Sequence, residues 1–249
     1  SADRVASTTR SRKRIDTIHD IEMAEKLQTA DHVARASLSV ADLVGRLEED
    51  IVLGRLLPRE RLVEDELIAR FGASRHIVRQ ALMELDRMGL IVRIPNRGAV
   101  VTSLFPEEIE QLHAYRSMLE GEAASLIPFP LAASTLAELN TIQDQHDAAV
   151  ASGDLALLFR SNHAFHRRLF ACCGNRFLIE GIEAAAQKAH GIRFLPMRVP
   201  RNRLVSQQQH HAMLDALKRH DRDELVRLCR EHIIQFRDDY SPLALQQNP

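Results

Sequence analysis

The sequence predicts a mainly α-helical protein, in which an N-terminal winged helix-turn-helix is followed by an all-α antiparallel helical bundle. Residues that disfavour helices are scarce, with 10 Gly, 9 Pro, 4% aromatic residues and no Trp in a chain of 249. Apolar residues recur at helical spacing over most of the chain after residue 38. A strand-like pattern is confined to a short stretch near residues 91–101.

Overall charge leaves the class of partner open, whereas the cysteines indicate a compartment. The 33 Lys and Arg balance 34 Asp and Glu, which excludes a wholly basic coat protein but not a local basic surface. Three cysteines, two of them adjacent at Cys172 and Cys173, cannot build a disulfide framework, so we expect the reducing cytoplasm. We expect no membrane span, because Pro128 and Pro130 interrupt the apolar stretch 123–133, and no secretory signal, because the start of the chain carries charged residues such as Asp3 and Arg4.

Helix signals divide the chain into segments. Pro106, followed by Glu107 and Glu108, is a typical helix start and marks the second domain. The predicted segments are a polar tail (1–37), a winged helix-turn-helix (38–103), an all-helical domain (106–240) and a C-terminal tail (241–249).

The first helix of the N-terminal domain has a clear start and end. Leu43, Leu47 and Ile51 recur at helical spacing. Ser39 precedes them as an N-cap, and Gly54 follows where the helix should stop.

Two further helices and two strands complete this domain. A helix over 63–71 ends at Gly72, and Ser74 caps the next helix, which runs to Met88. Strand-like runs then begin at Ile91 and at Ala99, joined by a turn of Pro, Asn, Arg and Gly. A helix-turn-helix followed by a two-stranded wing is the plan of a winged-helix DNA-binding domain.

The segment from the third helix to the wing is locally basic. Arg75 and Arg79 lie one turn apart at the helix end that enters a major groove, where Arg can bind guanine edges or phosphates. Ser74 and the free amides at this helix start suit a phosphate, and Arg97 lies at the wing tip. Separately, these would be ordinary solvated charges; their shared placement favours DNA. The segment contains five arginines against two acids: Arg75, Arg79, Arg87, Arg93 and Arg97 against Glu84 and Asp86.

Several short pieces of sequence keep their order and spacing across this domain: Leu62 to Leu67, Phe71 to Arg75, Val78 to Leu82, Leu85, Gly89 to Ile91 and Asn96 to Ala99. With them the domain resembles the N-terminal domain of GntR-family transcription regulators. The resemblance implies DNA contacts from the recognition helix and the wing, by Ser74, Arg75, Arg79, Arg97 and Gly98. His76 and Ile77 replace the usual Thr-Pro pair, which makes His76 a further candidate toward a base or a phosphate.

Beyond residue 106 the sequence shows helical periodicity and no strand pattern. Six antiparallel helices joined by short turns would form a bundle large enough to enclose a cavity. The predicted spans are 106–127, 131–151, 154–172, 175–194, 201–219 and 221–240.

Three histidines and one asparagine point to the interior of this bundle. Asn162 and His166 lie one turn apart on the buried stripe of one helix, and His210 and His232 lie on the buried stripes of two others. A single inward histidine is usually a hydrogen-bonded core residue. Three from separate helices favour a divalent ion, because imidazoles buried together need a shared partner.

Other chemically capable residues of this half have ordinary interpretations. His163 shares a helix face with Arg160 and Arg167, so we expect it to face water. Cys172 and Cys173 are interpreted as buried filler and not as redox sensors; they would be metal ligands only if the phase of this helix differed.

A second set of sequence pieces covers residues 106–240: Arg116-x-x-Leu119-Glu120, Asn162-x-x-Phe165-His166, Gly174-Asn175, His210-x-x-Met213, and Asp221 leading to His232. These pieces resemble the FCD ligand-binding domain of the FadR subfamily. The FCD metal pattern implies Asn162, His166, His210 and His232 as ligands of a divalent ion, without distinguishing Zn, Ni and Mn. The family more often has Asp at the first position. A neutral Asn would hold the ion less tightly and leave its positive charge for an anionic effector.

The expected effector is a small carboxylic acid. An ion in such a site keeps open coordination positions that a carboxylate would fill. Arg116 is the candidate for a second contact with the acid. The alternative for Arg116 is an i, i+4 ion pair with Glu120 of little energetic value.

Together these features predict a DNA-binding transcription regulator that is not an enzyme and whose operator affinity depends on a metal-bound acid. We expect a repressor that binds a palindromic double-stranded operator as a homodimer. One alternative is a metal-dependent, hydrolase-like enzyme, although no clear general base shares the face of the histidines. The other is a regulator in which the metal is purely structural.

Overall fold

The computed structural model describes residues 38–95 and 98–234. The predictions for both tails, for the end of the last helix and for Arg97 lie outside these residues. The described chain confirms the predicted fold class, since a small helical domain with a sheet precedes a bundle of helices.

Helix α1 spans Val40–Val52 and uses the predicted signals at both ends. The Asp42 amide donates to Ser39 Oγ and the Ser39 amide donates to the Asp42 carboxylate, both at 3.1 Å, which forms a capping box. The hydrogen bonds from Ser39 hold the pKa of Asp42 below its ordinary value. Gly54 lies beyond the helix with a φ of 64°, a conformation that favours glycine.

Helices α2 (Glu64–Phe71) and α3 (Arg75–Arg87) form the predicted helix-turn-helix. Gly72 ends α2 in the left-handed conformation. Ser74 Oγ accepts the Ile77 amide at 3.3 Å and thereby begins α3. The end of α2 and the start of α3 therefore follow from local sequence.

The wing has three antiparallel strands, β1 (Arg61–Leu62), β2 (Ile91–Ile94) and β3 (Gly98–Val101), with β3 in the centre. The sequence predicts β2 and β3 but misses β1, because two residues carry no readable alternation. At Gly98 the φ is 86°, and a Cβ there would lie 2.6 Å from the Leu62 carbonyl oxygen. Only glycine lets β3 approach β1 this closely.

The second domain is a bundle whose helix ends agree with the predicted spans to within a few residues. Around Pro196 the sequence predicts only an interruption between two helices, whereas the structure has a short 3₁₀ helix there. The described elements are α4 (Pro106–Ser125), α5 (Ala133–Ser152), α6 (Leu155–Ala171), α7 (Arg176–Arg193), a 3₁₀ helix (Leu195–Arg198), α8 (Pro200–Arg219) and α9 (Arg222–Ile234).

Packing in the bundle places α4 against α7 and α9, and α5 against α6 and α8. Large apolar side chains fill the centre: Phe165, Leu169, Phe170, Met213 and Leu214. Among the described helices, none combines the length and apolarity that crossing a membrane requires.

The two domains share a small apolar core that the sequence did not predict. Val52, at the end of α1, packs with Leu158 of α6 and with Phe194 and Met197 near the 3₁₀ helix. Contacts between residues this far apart in the chain leave no trace in the periodicity of either segment.

Candidate functional site

Helix α3 presents the predicted recognition residues to solvent. Ser74, Arg75, His76 and Arg79 are all exposed, whereas Val78 on the same helix is buried. The helix therefore turns one polar face outward at the end predicted to enter a DNA groove.

Acids of α2 lie against the two arginines at the start of α3. Arg79 Nε is 2.9 Å from Glu64 Oε2, and Arg75 Nη2 is 2.7 Å from Asp65 Oδ1. These two acids precede the segment from the third helix to the wing, whose charges alone predict a basic surface. The surface is therefore less basic than the sequence of that segment predicts. Both arginines and Asp65 are exposed and Glu64 is partly exposed, which allows the arginines to exchange these partners for phosphates.

A groove of about 730 Å³ separates these side chains from the wing. Arg61 and Arg93 of the wing line its other side, together with Gly98. Of the predicted contacts, Arg75, Arg79 and Gly98 thus line one groove of the first domain.

Three imidazoles converge inside the bundle. The Nε2 atom of His166 on α6 lies 3.1 Å from Nε2 of His232 on α9 and 3.2 Å from Nε2 of His210 on α8. His210 is fully buried and stacks on Phe165, with 4.3 Å between ring centroids. The three histidines that the sequence predicts to face inward are therefore brought together.

Two glutamine side chains orient these rings. His210 Nδ1 lies 3.0 Å from Gln143 Oε1, and His232 Nδ1 lies 2.6 Å from Gln209 Oε1. A carbonyl oxygen only accepts hydrogen bonds, so each Nδ1 carries the proton and each Nε2 presents a lone pair. The Nε2 lone pairs of His210 and His232 are both directed at His166. A bound cation would stabilise this arrangement.

The spacing of the nitrogens fits a divalent ion. Two nitrogen ligands about 2.1 Å from an ion stand about 3.0 Å apart at a right angle and about 3.4 Å apart at a tetrahedral angle. The observed separations of 3.1 and 3.2 Å fall between these values. Asn162 lies one turn before His166 on α6 and is 8% exposed, which leaves its amide oxygen as the fourth candidate ligand.

A second polar layer behind the cluster was missed by sequence reasoning. His146 of α5 packs on His210 with 4.6 Å between ring centroids, and burial lowers the pKa of His146 to about 4. Gln143 and His146 lie on the same buried stripe as Leu139. This stripe is the signal that could have found them, because polar residues at core positions need partners.

Comparisons with known proteins match both domains. Residues 40–101 match the family described as bacterial regulatory proteins, gntR family, and residues 111–235, half of the chain, match the FCD domain. The chain belongs to the GntR family. The FadR subfamily that the sequence predicts fits its FCD domain.

Individual GntR-family proteins agree with this assignment. An HTH-type transcriptional regulator from the TAR-I ttuE-ttuC' intergenic region of Agrobacterium vitis is 31% identical over 118 residues, 46% of this chain and 69% of the relative. The HTH-type transcriptional repressor RspR of Escherichia coli is 27% identical over 190 residues, 75% of this chain and 82% of the relative. The solved structure of E. coli McbR/YncC shares the fold, with a TM-score of 0.68 at 22% identity over 85% of this chain and 99% of that chain.

The protein is thus a DNA-binding transcription regulator of the GntR family with an FCD domain. Its family consists of regulators rather than enzymes.

In this GntR regulator, Arg116 makes the ion pair that the sequence offered as the alternative. Its Nε and Nη2 atoms lie 3.0 and 2.8 Å from Glu120 Oε1. The prediction that this ion pair contributes little to stability assumes an exposed pair. That assumption is wrong, because the two side chains are only 5% and 3% exposed. Removing either partner would leave a buried charge, which is costly. Contact between Arg116 and an acid stays a prediction.

His163 does not face water as predicted. Its side chain is 25% exposed, and its Nε2 lies 3.3 Å from Oε1 of Glu183 on α7. The hydrogen bond with His163 holds the pKa of Glu183 below its ordinary value. The periodicity of α6 alone could not reveal that α7 covers this face.

Polar contacts join α1 to the FCD domain beside the shared core. Arg160 belongs to α6, the helix that also carries Asn162 and His166. One helix therefore connects the imidazole cluster to the DNA-binding domain. The contacts, each at 2.7 Å, are Arg160 to Glu49, His190 to Glu48, and Arg198 to the carbonyl oxygen of Leu53.

Proposed function

We propose that this GntR regulator is a repressor whose operator affinity is controlled by a small carboxylic acid bound at a metal site in the FCD domain. The observation that carries the proposal is the convergence of His166, His210 and His232, with one ring nitrogen of each within 4.8 Å of the other two. A divalent cation is a suitable common partner for three imidazoles this close together.

The proposed DNA interface combines the start of α3 with the wing. A homodimer would place two such surfaces on a palindromic operator, with each α3 in a major groove. The name of the relative RspR, a repressor, supports the direction of regulation. We place the protein in the cytoplasm, where its DNA target is. The proposed contacts are Ser74, Arg75, His76, Arg79, Arg97 and Gly98.

Asn162, His166, His210 and His232 would hold a divalent ion, with Zn, Ni and Mn all compatible with this donor set. When bound, the ion supplies a positive charge and open positions for a carboxylate. All four side chains are neutral ligands, so the charge of the ion is offset only when an anion joins it. We propose Arg116 as a second contact for the acid, shared with Glu120.

Helix α6 offers a direct route from the site to the DNA-binding domain. Its middle carries Asn162 and His166, and its first two turns carry Leu158 and Arg160, which contact α1. A change in the position of α6 on binding the acid would move the DNA-binding domain and alter the spacing of the two operator contacts.

Gel mobility on the DNA upstream of the protein's own gene tests this function. We expect a shifted complex that a panel of small carboxylic acids releases only when Zn²⁺, Ni²⁺ or Mn²⁺ is present. The variants Asn162→Ala and His210→Ala should still bind DNA but should lose the response to acid. Absence of DNA binding at low salt would contradict the proposal.

Two further measurements, of thermal stability and of turnover, distinguish the two other interpretations. If metal removal lowers the melting temperature but leaves the acid response intact, the metal is purely structural. Turnover of esters, amides or lactones by the metal-loaded protein would instead favour an enzyme.

A further inference from the structure

A hydrogen-bond chain leads from His210 to the surface of the bundle. Gln143 Oε1 accepts from His210 Nδ1 at 3.0 Å, and Gln143 Nε2 donates to Asp147 Oδ1 at 2.7 Å. The second Asp147 oxygen lies 2.9 Å from Nε2 of His211, whose side chain is 50% exposed. Both Gln143 and Asp147 belong to α5, whereas the two histidines are neighbours on α8.

The chemistry of each group sets the direction of this chain. A carboxylate only accepts hydrogen bonds, so Gln143 must turn its NH₂ group toward Asp147. Its carbonyl oxygen then faces His210, whose Nδ1 must carry the ring proton. The Nε2 atom of His210 consequently keeps its lone pair, directed at Nε2 of His166 3.2 Å away.

Without the carboxylate, the amide of Gln143 could rotate by half a turn. Its NH₂ group would then donate to His210 Nδ1 and select the opposite tautomer. In that tautomer Nε2 carries the proton, and a protonated ring nitrogen cannot bind a cation.

We propose that Asp147 and Gln143 are positioning residues that set the tautomer of His210 for metal binding. This inference rests on the proposed metal site and identifies the residues that orient one of its ligands. Partners of this kind orient metal-ligating histidines, and their loss costs about 10- to 100-fold in metal affinity. Gln143 is 1% exposed, so water cannot readily replace it.

Titration of the metal-depleted protein with Ni²⁺ by calorimetry is the first test. We expect Asp147→Ala and Gln143→Leu to weaken nickel binding by about 10- to 100-fold. Asp147→Asn should restore most of the affinity, because its amide still offers an oxygen to Gln143. The matched controls Asp144→Ala and Gln145→Leu, at exposed positions of α5, should bind nickel like the unmodified protein. Equal losses for Asp147→Ala and Asp144→Ala would overturn the proposal, since only general charge would then matter.

Nitrogen NMR of the histidine rings in the metal-free protein is the second test. We expect His210 to carry its proton on Nδ1 in the unmodified chain and to populate both tautomers in Asp147→Ala. Asp147 is partly exposed, so this variant should fold, which a thermal melt checks. An unchanged His210 tautomer in Asp147→Ala would overturn the proposal. If the unmodified protein bound no nickel, the proposed metal site would be wrong. The NMR measurement of the His210 tautomer would still show whether Asp147 orients this ring.

Discussion

At the scale of single residues, the recognition arginines of α3 are held in place before DNA arrives. Glu64 binds the Nε atom of Arg79 with both carboxylate oxygens, at 3.2 and 2.9 Å. Exposed ion pairs of this kind contribute about 0.2–1 kcal/mol, so exchanging the acid for a phosphate costs little. The pair orients the guanidinium and does not block it.

We predict that Arg79→Ala lowers the affinity for the upstream DNA by about tenfold or more, because a base or phosphate contact is lost. Fluorescence anisotropy with a labelled duplex measures this affinity. Arg87→Ala is the matched control, since Arg87 lies at the other end of α3 and pairs with Glu84. Similar losses in both variants would contradict a specific role for Arg79.

We also predict that Cys229 resists alkylation in the folded protein. Its side chain is 1% exposed, and burial raises the pKa of its thiol, which suppresses the reactive thiolate. Iodoacetamide at pH about 8 should modify Cys229 only after unfolding in urea, as read by mass spectrometry. Labelling of native Cys229 as fast as that of the less buried Cys173 would show that the helix around it opens readily.

How far the sequence could predict the site depends on where each partner lies. His166, His210 and His232 were predictable because each lies on the apolar stripe of its own helix. The stripe of α5 could have indicated a buried Gln143, but not its contact with His210, which joins residues 67 positions apart. Local periodicity predicts which way a side chain points but not what it meets.

At the scale of elements, caps and glycines account for the helix boundaries. Ser39, Ser74 and Gly72 each satisfy backbone groups through their own side chain or backbone conformation, so these ends were predictable from sequence. Strand β1 exists only because β3 pairs with it, and nothing within Arg61–Leu62 signals that pairing.

We predict that Ser39→Ala lowers the free energy of unfolding by about 1 kcal/mol, because the capping box at the start of α1 is lost. Urea denaturation followed by circular dichroism measures the change. The control is Ser125→Ala at the end of α4, where the hydroxyl donates to the Glu122 carbonyl of its own helix at 2.7 Å. The prediction fails if both substitutions have the same effect.

At the scale of the whole molecule, the FCD domain and the DNA-binding domain are in direct contact. The ion pair between Arg160 and Glu49 joins residues 111 positions apart. Such contacts lay beyond sequence reasoning, which located the domains but not how they meet.

We predict that Arg160→Gln leaves DNA binding intact but reduces the release of DNA by acid, because α6 loses a contact with α1. Glu49→Gln should do the same, and the double variant should reduce the acid response little further, since both substitutions remove the Arg160–Glu49 pair. Glu49→Gln also removes an ion pair with Arg55, which lies within the DNA-binding domain. Anisotropy titrations with and without metal and acid measure the response. Arg167→Gln, at an exposed position of the same helix, serves as the control and should respond normally. An unchanged response in all three Arg160 and Glu49 variants would exclude this contact as the route.

The shared core around Val52 also bears on how such a protein can evolve. Val52 is 1% exposed only because Leu158, Phe194 and Met197 cover it. Recombination that joins this DNA-binding domain to a different effector domain would uncover that apolar patch unless the new domain supplies a matching surface. We therefore expect a working chimera to carry the end of α1 together with the residues that cover it.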